Sequence, residues 1–234
     1  SVAPHTHTFD REVVAQEYQK SGLEFYKSCY CGKSSQGYEG ETTFILPPHQ
    51  HTDDQNIQWQ AWHGEDITAE GYYYLEYDVV VREDFESHDY ETIVSANATI
   101  CLNGFIIDFR RQGGIQISEG VEVTICDCGA EGSIYSDYCY EIILNAGTVN
   151  LRSGMVQGHG HSCPIVNQET GTVNIYGGTV HGFDAVAVEN RAAGTVNIFD
   201  GTFQSEWSPI ENNSTGTVNI SGGTFYGEWG AVEN

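Results

Sequence analysis

The phrase Gly-Thr-Val-Asn occurs four times, at Gly147, Gly171, Gly194 and Gly216, so successive copies begin 24, 23 and 22 residues apart. That spacing is too short for a two-helix repeat of about 34 residues. Within each copy, polar and apolar residues alternate with the two-residue period of a strand rather than the 3.6-residue period of a helix. Val149, Val173, Val196 and Val218 share one face with Leu151, Ile175, Ile198 and Ile220, and a glycine-bearing turn follows in every copy. A second short strand offers Val156, Val180, Phe203 and Phe225, and a third offers Ile165, Val188, Ile210 and Val232. Three short strands per repeat, with equivalent apolar residues in every copy, predict a coil that stacks about 4.8 Å above the one before it.

The fold expected is therefore all-β: a right-handed parallel β-helix of about seven coils, each of 22–27 residues, behind a small N-terminal module. Weaker copies extend the pattern upstream through "EVTICDCGAEGSIY" (122–135), "ATICLNGFIID" (98–108) and "GYYYLEYDVVV" (71–81). Residues 1–66 do not repeat and are read as a module with its connector; 67–234 are read as the solenoid. The chain ends at "WGAVEN", where another phrase would begin, which predicts that the solenoid belongs to a longer protein. Asn167, Asn190, Asn212 and Asn234 recur two residues after the third-strand apolar position. Asparagine tolerates a left-handed backbone, and its amide can bond the identical amide one coil away, so this column reads as a structural ladder at a corner. Thr148, Thr172, Thr195 and Thr217, with Asn150, Asn174, Asn197 and Asn219, are expected to face outward in a flat column.

Nine Lys and Arg face 33 Asp and Glu, a formal charge of −24. Such a surface repels nucleic acid and anionic membranes. No stretch approaches the roughly 18 apolar residues of a membrane span. The acidity suits either simple solubility or attraction of Ca²⁺ and basic partners, although no EF-type loop is present. Of the seven cysteines, Cys101 and Cys126 fall at equivalent places on neighbouring coils, within reach of a disulfide or side by side as thiols. In the N-terminal module, His5, His7, Cys29 and Cys31 form a chemically sound tetrahedral Zn²⁺ set, with His49 and His51 following. Their spacing is not that of a standard finger, and a disulfide or uncommitted side chains are the other readings.

The combination "HTHTF…EYQKS…YKSCYCG…ETTF", "WQAWHGEDITAEGYYYLEYDVVV", "ATICLNGFIID…VTICDCG" and the "GTVNISGGTF" repeats resembles large surface proteins of anaerobic Gram-positive bacteria. Those proteins join small His/Cys-containing modules to right-handed β-helix domains of the pectate-lyase-like architecture. The resemblance implies a secreted or cell-surface location, and adhesion or glycan binding as the function. It departs at "KSGLEFYKSC", where similar modules carry a further cysteine.

Many such solenoids cleave polysaccharides, but fold alone does not fix function. A lyase needs Arg or Lys as base beside carboxylates that hold Ca²⁺, and a glycosidase needs two opposed carboxylates. No Lys lies beyond residue 70, and no Asp from 100 onward is paired with another; Arg152 and Asp200, on turn edges two coils apart, are the nearest approach to a catalytic set. A binding surface is better specified. Glu206-Trp207 and Glu228-Trp229 stand at matching places in consecutive coils, each indole 12 residues after its opening threonine, and Phe183-Asp184 hold those places one coil earlier. Aromatic planes flanked by carboxylates suit sugars, whose C–H faces stack on indole while hydroxyls bond the acids. The expectation is a non-catalytic adhesin-like domain with a host or microbial glycan or glycoprotein as partner and no required cofactor. A polysaccharide-active enzyme, a Ca²⁺-assisted binder of acidic polysaccharide and a plain structural spacer are the alternatives.

Overall fold

The computed structural model describes residues 57–81, 90–110, 113–129, 131–137 and 140–233. The expected Zn²⁺ ligands His5, His7, Cys29 and Cys31 lie outside these residues. The described residues from Gln58 onward belong to one compact unit, a parallel β-solenoid without helices. Among the described residues, no helix is long and apolar enough to cross a membrane.

Three sheets run along the solenoid. The first has eight strands, from Trp59–Ala61 to Thr217–Ile220, and contains the four Thr-Val-Asn strands. The second has seven, from Val79–Val80 to Thr224–Tyr226, and the third seven, from Tyr90–Val94 to Val232–Glu233. Every pairing is parallel and joins a strand to its equivalent one coil away, as in Val149↔Val173, Val173↔Val196 and Val196↔Val218. Six turns carry the chain from Gly71–Tyr74 to Thr217–Ile220, giving seven stacked layers of three strands. The register lengthens upstream, so that Gly71 pairs with Ala98 and Ala98 with Val123. The sheet also starts before residue 67: Trp59–Ala61 pairs with Tyr72–Tyr74, and Trp62 is fully buried with its Nε1–H donating to the Glu65 carbonyl at 2.8 Å.

The core is the repeat's own apolar columns. Val123, Val149, Val173 and Val196, Ile125, Leu151, Ile175 and Ile198, and Ile134, Val156, Val180 and Phe203 are all inaccessible to solvent. Phe203 stacks on Phe225 of the next coil with centroids 4.9 Å apart. In the last coil the same positions are less covered, with Val218 and Phe225 half-buried and Ile220 and Val232 exposed.

The corner ladder joins Asn167, Asn190 and Asn212 and reaches one coil further upstream, to Asn145, while the expected member Asn234 lies outside the described residues. Asn145 donates from Nδ2 to Asn167 Oδ1 at 2.8 Å, Asn167 to Asn190 at 2.9 Å, and Asn190 to Asn212 at 2.9 Å. Each amide also bonds the carbonyl of the glycine that opens a Gly-Thr-Val-Asn phrase, as Asn167 does with Gly171 at 2.8 Å and Asn190 with Gly194 at 3.2 Å. That contact explains the glycine. A Cβ on Gly194 would lie 2.3 Å from Asn167 Nδ2, and one on Gly216 2.2 Å from Asn190 Nδ2, closer than any side chain can approach. Upstream of Asn145 the same column holds Ile117 and Val94, both buried, so an apolar corner is replaced by an amide corner partway along the solenoid.

The outward asparagines form a second ladder. Asn219 donates to Asn197 at 2.8 Å, Asn197 to Asn174 at 2.8 Å, Asn174 to Asn150 at 2.9 Å, and Asn150 to Glu122 Oε1 at 2.7 Å. The flat outer column is thus knitted to itself. In each phrase the glycine cradles one amide ladder, the valine fills the core, and the asparagine forms another.

Candidate functional site

The loops that follow the second sheet carry two exposed indoles and an exposed imidazole beside several half-buried rings. Trp207 and Trp229 stack with centroids 6.1 Å apart and planes inclined by 10°, and their relative exposures are 43% and 73%. Local chemistry fixes this arrangement. Ser205 Oγ accepts the Trp207 N–H at 2.8 Å and donates to the Ala185 carbonyl at 2.9 Å, while Ser208 and Pro209 behind the indole are buried. The Trp229 loop sits tightly on the Trp207 loop, for a Cβ on Gly227 would meet Pro209 Cδ at 2.4 Å and the Trp207 carbonyl at 2.5 Å. The indoles are held parallel and do not fold down over their own coil. Glu206 and Glu228 beside them are exposed.

Phe183 and Asp184 occupy the matching loop one coil earlier, in register through the Glu206 N–H bond to the Phe183 carbonyl at 3.3 Å. Their surroundings differ from those of the indoles. Phe183 is half-buried and stacks on His159 at 3.5 Å and on His181 at 3.8 Å, and Tyr135 meets His159 edge-on at 5.7 Å. Asp184 is exposed, and its carbonyl accepts a bond from His161 Nδ1 at 3.0 Å; the His161 ring lies 6.4 Å from Trp207. His159, His161, His181 and Tyr135 therefore join the predicted residues on one continuous strip along the solenoid axis. His159 and His161 stand at a strand end and in the loop after it, where the copies differ in length, and Tyr135 and His181 share a strand position that holds glutamine in Gln157 and Gln204, so the repeat phrase displays none of them.

Burial and the neighbouring His159 hold the His181 imidazole below the ordinary histidine range. The folded state favours its neutral form, so this contribution to stability is complete above about pH 6.5 and is lost as pH falls through the lowered pKa. His181→Gln should flatten the loss of stability on acidification from about pH 6.5 to pH 5, as measured by urea unfolding at each pH. An acid slope equal to that of the parent protein would contradict the assignment.

The weak catalytic constellation of the sequence finds each partner locally engaged. Arg152 lies over the Tyr176 ring at 4.7 Å, and Tyr176 stacks on Phe199 at 4.8 Å. Asp200 Oδ1 accepts the Gly201 N–H at 2.8 Å within its own turn. Arg191 is taken up by Glu189 and Glu141, each at 2.8 Å. Among the described residues, no group of three or more His, Cys, Asp or Glu side chains is arranged to hold a metal ion.

Comparison with protein-family models, with curated proteins and with solved structures finds no match to this chain. The class of protein is defined by the fold: a parallel β-solenoid with an exposed aromatic strip on one lateral face.

Proposed function

We propose that this domain is a non-catalytic glycan- or glycoprotein-binding β-helix of a cell surface, and that Trp207 and Trp229 are its contact platform, with Glu206, Glu228 and Asp184 as hydrogen-bond acceptors at the edges. The observation that carries this reading is the pair of parallel, solvent-exposed indoles pinned by their own loops. A contiguous exposed apolar patch rimmed by polar residues often marks a contact surface, and a fixed indole pair loses little entropy when a flat apolar ligand covers it. Sugar rings present such a face and also the hydroxyls that carboxylates bind. Phe183 extends the apolar strip toward the preceding coils, where it is braced by imidazoles.

The charge of −24 favours neutral glycans over uronate or sialylated chains, which it repels. Acidic polysaccharide would require a bridging cation such as Ca²⁺. The test is an array of immobilised neutral and acidic glycans and glycoproteins, probed with the intact protein with and without Ca²⁺. Retention on neutral glycans without added metal is expected, with quenching or shift of tryptophan fluorescence on titration of the same sugar. Absence of retention on every surface would overturn the reading. Retention of acidic chains alone, dependent on Ca²⁺, would replace it with the cation-assisted alternative.

A further inference from the structure

A second chemically distinctive site lies at the opposite end of the described coils. Cys101 closes the strand Ala98–Cys101 and is fully buried. Cys126 closes the strand Glu122–Cys126 and is its register partner one coil on. The chain then turns through Asp127-Cys128-Gly129, and the Asp127 carboxylate clamps the turn. Its Oδ1 accepts the Gly104 N–H at 2.7 Å and the Gly129 N–H at 3.0 Å, and its Oδ2 accepts the Gly132 N–H at 2.9 Å. On the far side, Ser153 Oγ accepts the Asp127 N–H at 2.8 Å. The clamp presses the turn back onto the preceding coil so closely that a Cβ on Gly129 would lie 2.3 Å from Gly104 Cα. Cys128 is thereby laid over Cys101, with the two sulfurs 3.4 Å apart, and its thiol bonds Asn103 Oδ1 at 3.4 Å. Cys128 is exposed while Cys101 is shielded.

The geometry points to a dithiol site in which Cys128 and Cys101 close to a coil-to-coil disulfide by exchange with a low-molecular-weight disulfide of the glutathione type. Cys128, the exposed partner, reacts first. Its thiolate attacks one sulfur of glutathione disulfide, the S–S bond of the oxidant breaks, and one glutathione leaves and takes up a proton. The Cys101 thiol then gives its proton to solvent, its sulfur attacks Cys128 Sγ, and the second glutathione leaves. Two protein thiols lose two electrons and two protons, and one glutathione disulfide becomes two glutathiones. The Cys101 thiol is pushed up to about 12, mainly by its hydrogen bond with Cys126 and by burial. The second step is therefore the slow one and quickens as pH rises. Cys126 is the competing partner, but it is half-buried and less open to the oxidant.

The sequence supplies a clean test, because cleavage on the N-terminal side of aspartate separates Cys126 from Cys128. Cys101 falls in peptide 89–107, Cys126 in 108–126 and Cys128 in 127–136. The purified protein is equilibrated in a glutathione redox buffer at an oxidising ratio, its remaining thiols are alkylated, and the digest is mapped by mass. The expected product is 89–107 joined to 127–136 with the loss of two hydrogens, formed faster at about pH 8.5 than at about pH 7. The Cys126→Ser variant should retain the same product. Alkylation of both Cys101 and Cys128 after equilibration would overturn the proposal, as would a joined 89–107 and 108–126 pair.

Discussion

Asn167→Leu is expected to lower the free energy of unfolding by about 2–5 kcal/mol, the cost of leaving buried polar partners short of bonds and of fitting a bulkier side chain of the same branching. Asn167 is inaccessible to solvent and serves four neighbours: it accepts from Asn145 and donates to Asn190 Oδ1, the Gly171 carbonyl and, at 3.5 Å, the Thr195 carbonyl. Leucine restores none of these bonds. The Asn190 oxygen loses its ladder donor in a region that water does not reach, which is the expensive way to break a hydrogen bond, while the Gly171 carbonyl keeps the Thr195 N–H. The upstream coils sharpen the expectation, since Ile117 and Val94 show that this corner folds with apolar residues when the whole stretch of column is apolar. A mixed column is the costly state. Urea unfolding would show a lower midpoint for Asn167→Leu. A midpoint equal to that of the parent would mean that the ladder adds nothing to stability.

The second large effect concerns recognition. Replacing Trp207 and Trp229 together by alanine should weaken glycan retention by about a thousand-fold, or about 4 kcal/mol, because buried indoles dominate contacts of this kind. Stability should change by less than about 1 kcal/mol, since both rings are exposed in the unbound protein. The combination separates a binding role from a structural one. Tyr176→Ala makes a useful companion: Tyr176 is also exposed and stacked, on Phe199, but stands at the turn after the first sheet. It should leave retention unchanged. Equal retention by the parent and the double variant would show that the sugar lies elsewhere.

The fold was legible because a solenoid writes the same physical instruction once per coil. Val149, Val173 and Val196 meet across the first sheet as their spacing requires, and Asn167, Asn190 and Asn212 bond one another as their recurrence suggests. Asn145 is hidden in the sequence because one residue separates it from Gly147, whereas three separate Asn167 from Gly171. A shorter turn breaks the textual match without moving the amide. The outer asparagines were placed on the correct face, but their bonding to each other depends on an axial approach that a linear text does not display. The indole pair was legible through its constant offset from the phrase. The imidazoles around Phe183 were not, because His159 and His161 lie where the copies differ in length, and only the strand register brings them beside residues one and two coils away. The thiols show a subtler limit. Register pairs Cys101 with Cys126, yet the Asp127 clamp is what brings Cys128 onto it.

The two amide ladders run in opposite senses along the solenoid. At the corner, the donors point toward the later coils, from Asn145 to Asn212; on the outer face they point toward the earlier ones and finish on the Glu122 carboxylate. Each ladder is a line of aligned dipoles, and lines of equal length and opposite polarity largely cancel at a distance. The sheets add little, because strand dipoles alternate. The long-range field of the described solenoid therefore comes from its charged side chains and not from its amide ladders, and beyond about a Debye length of 10 Å at 0.1 M salt even that field is largely screened.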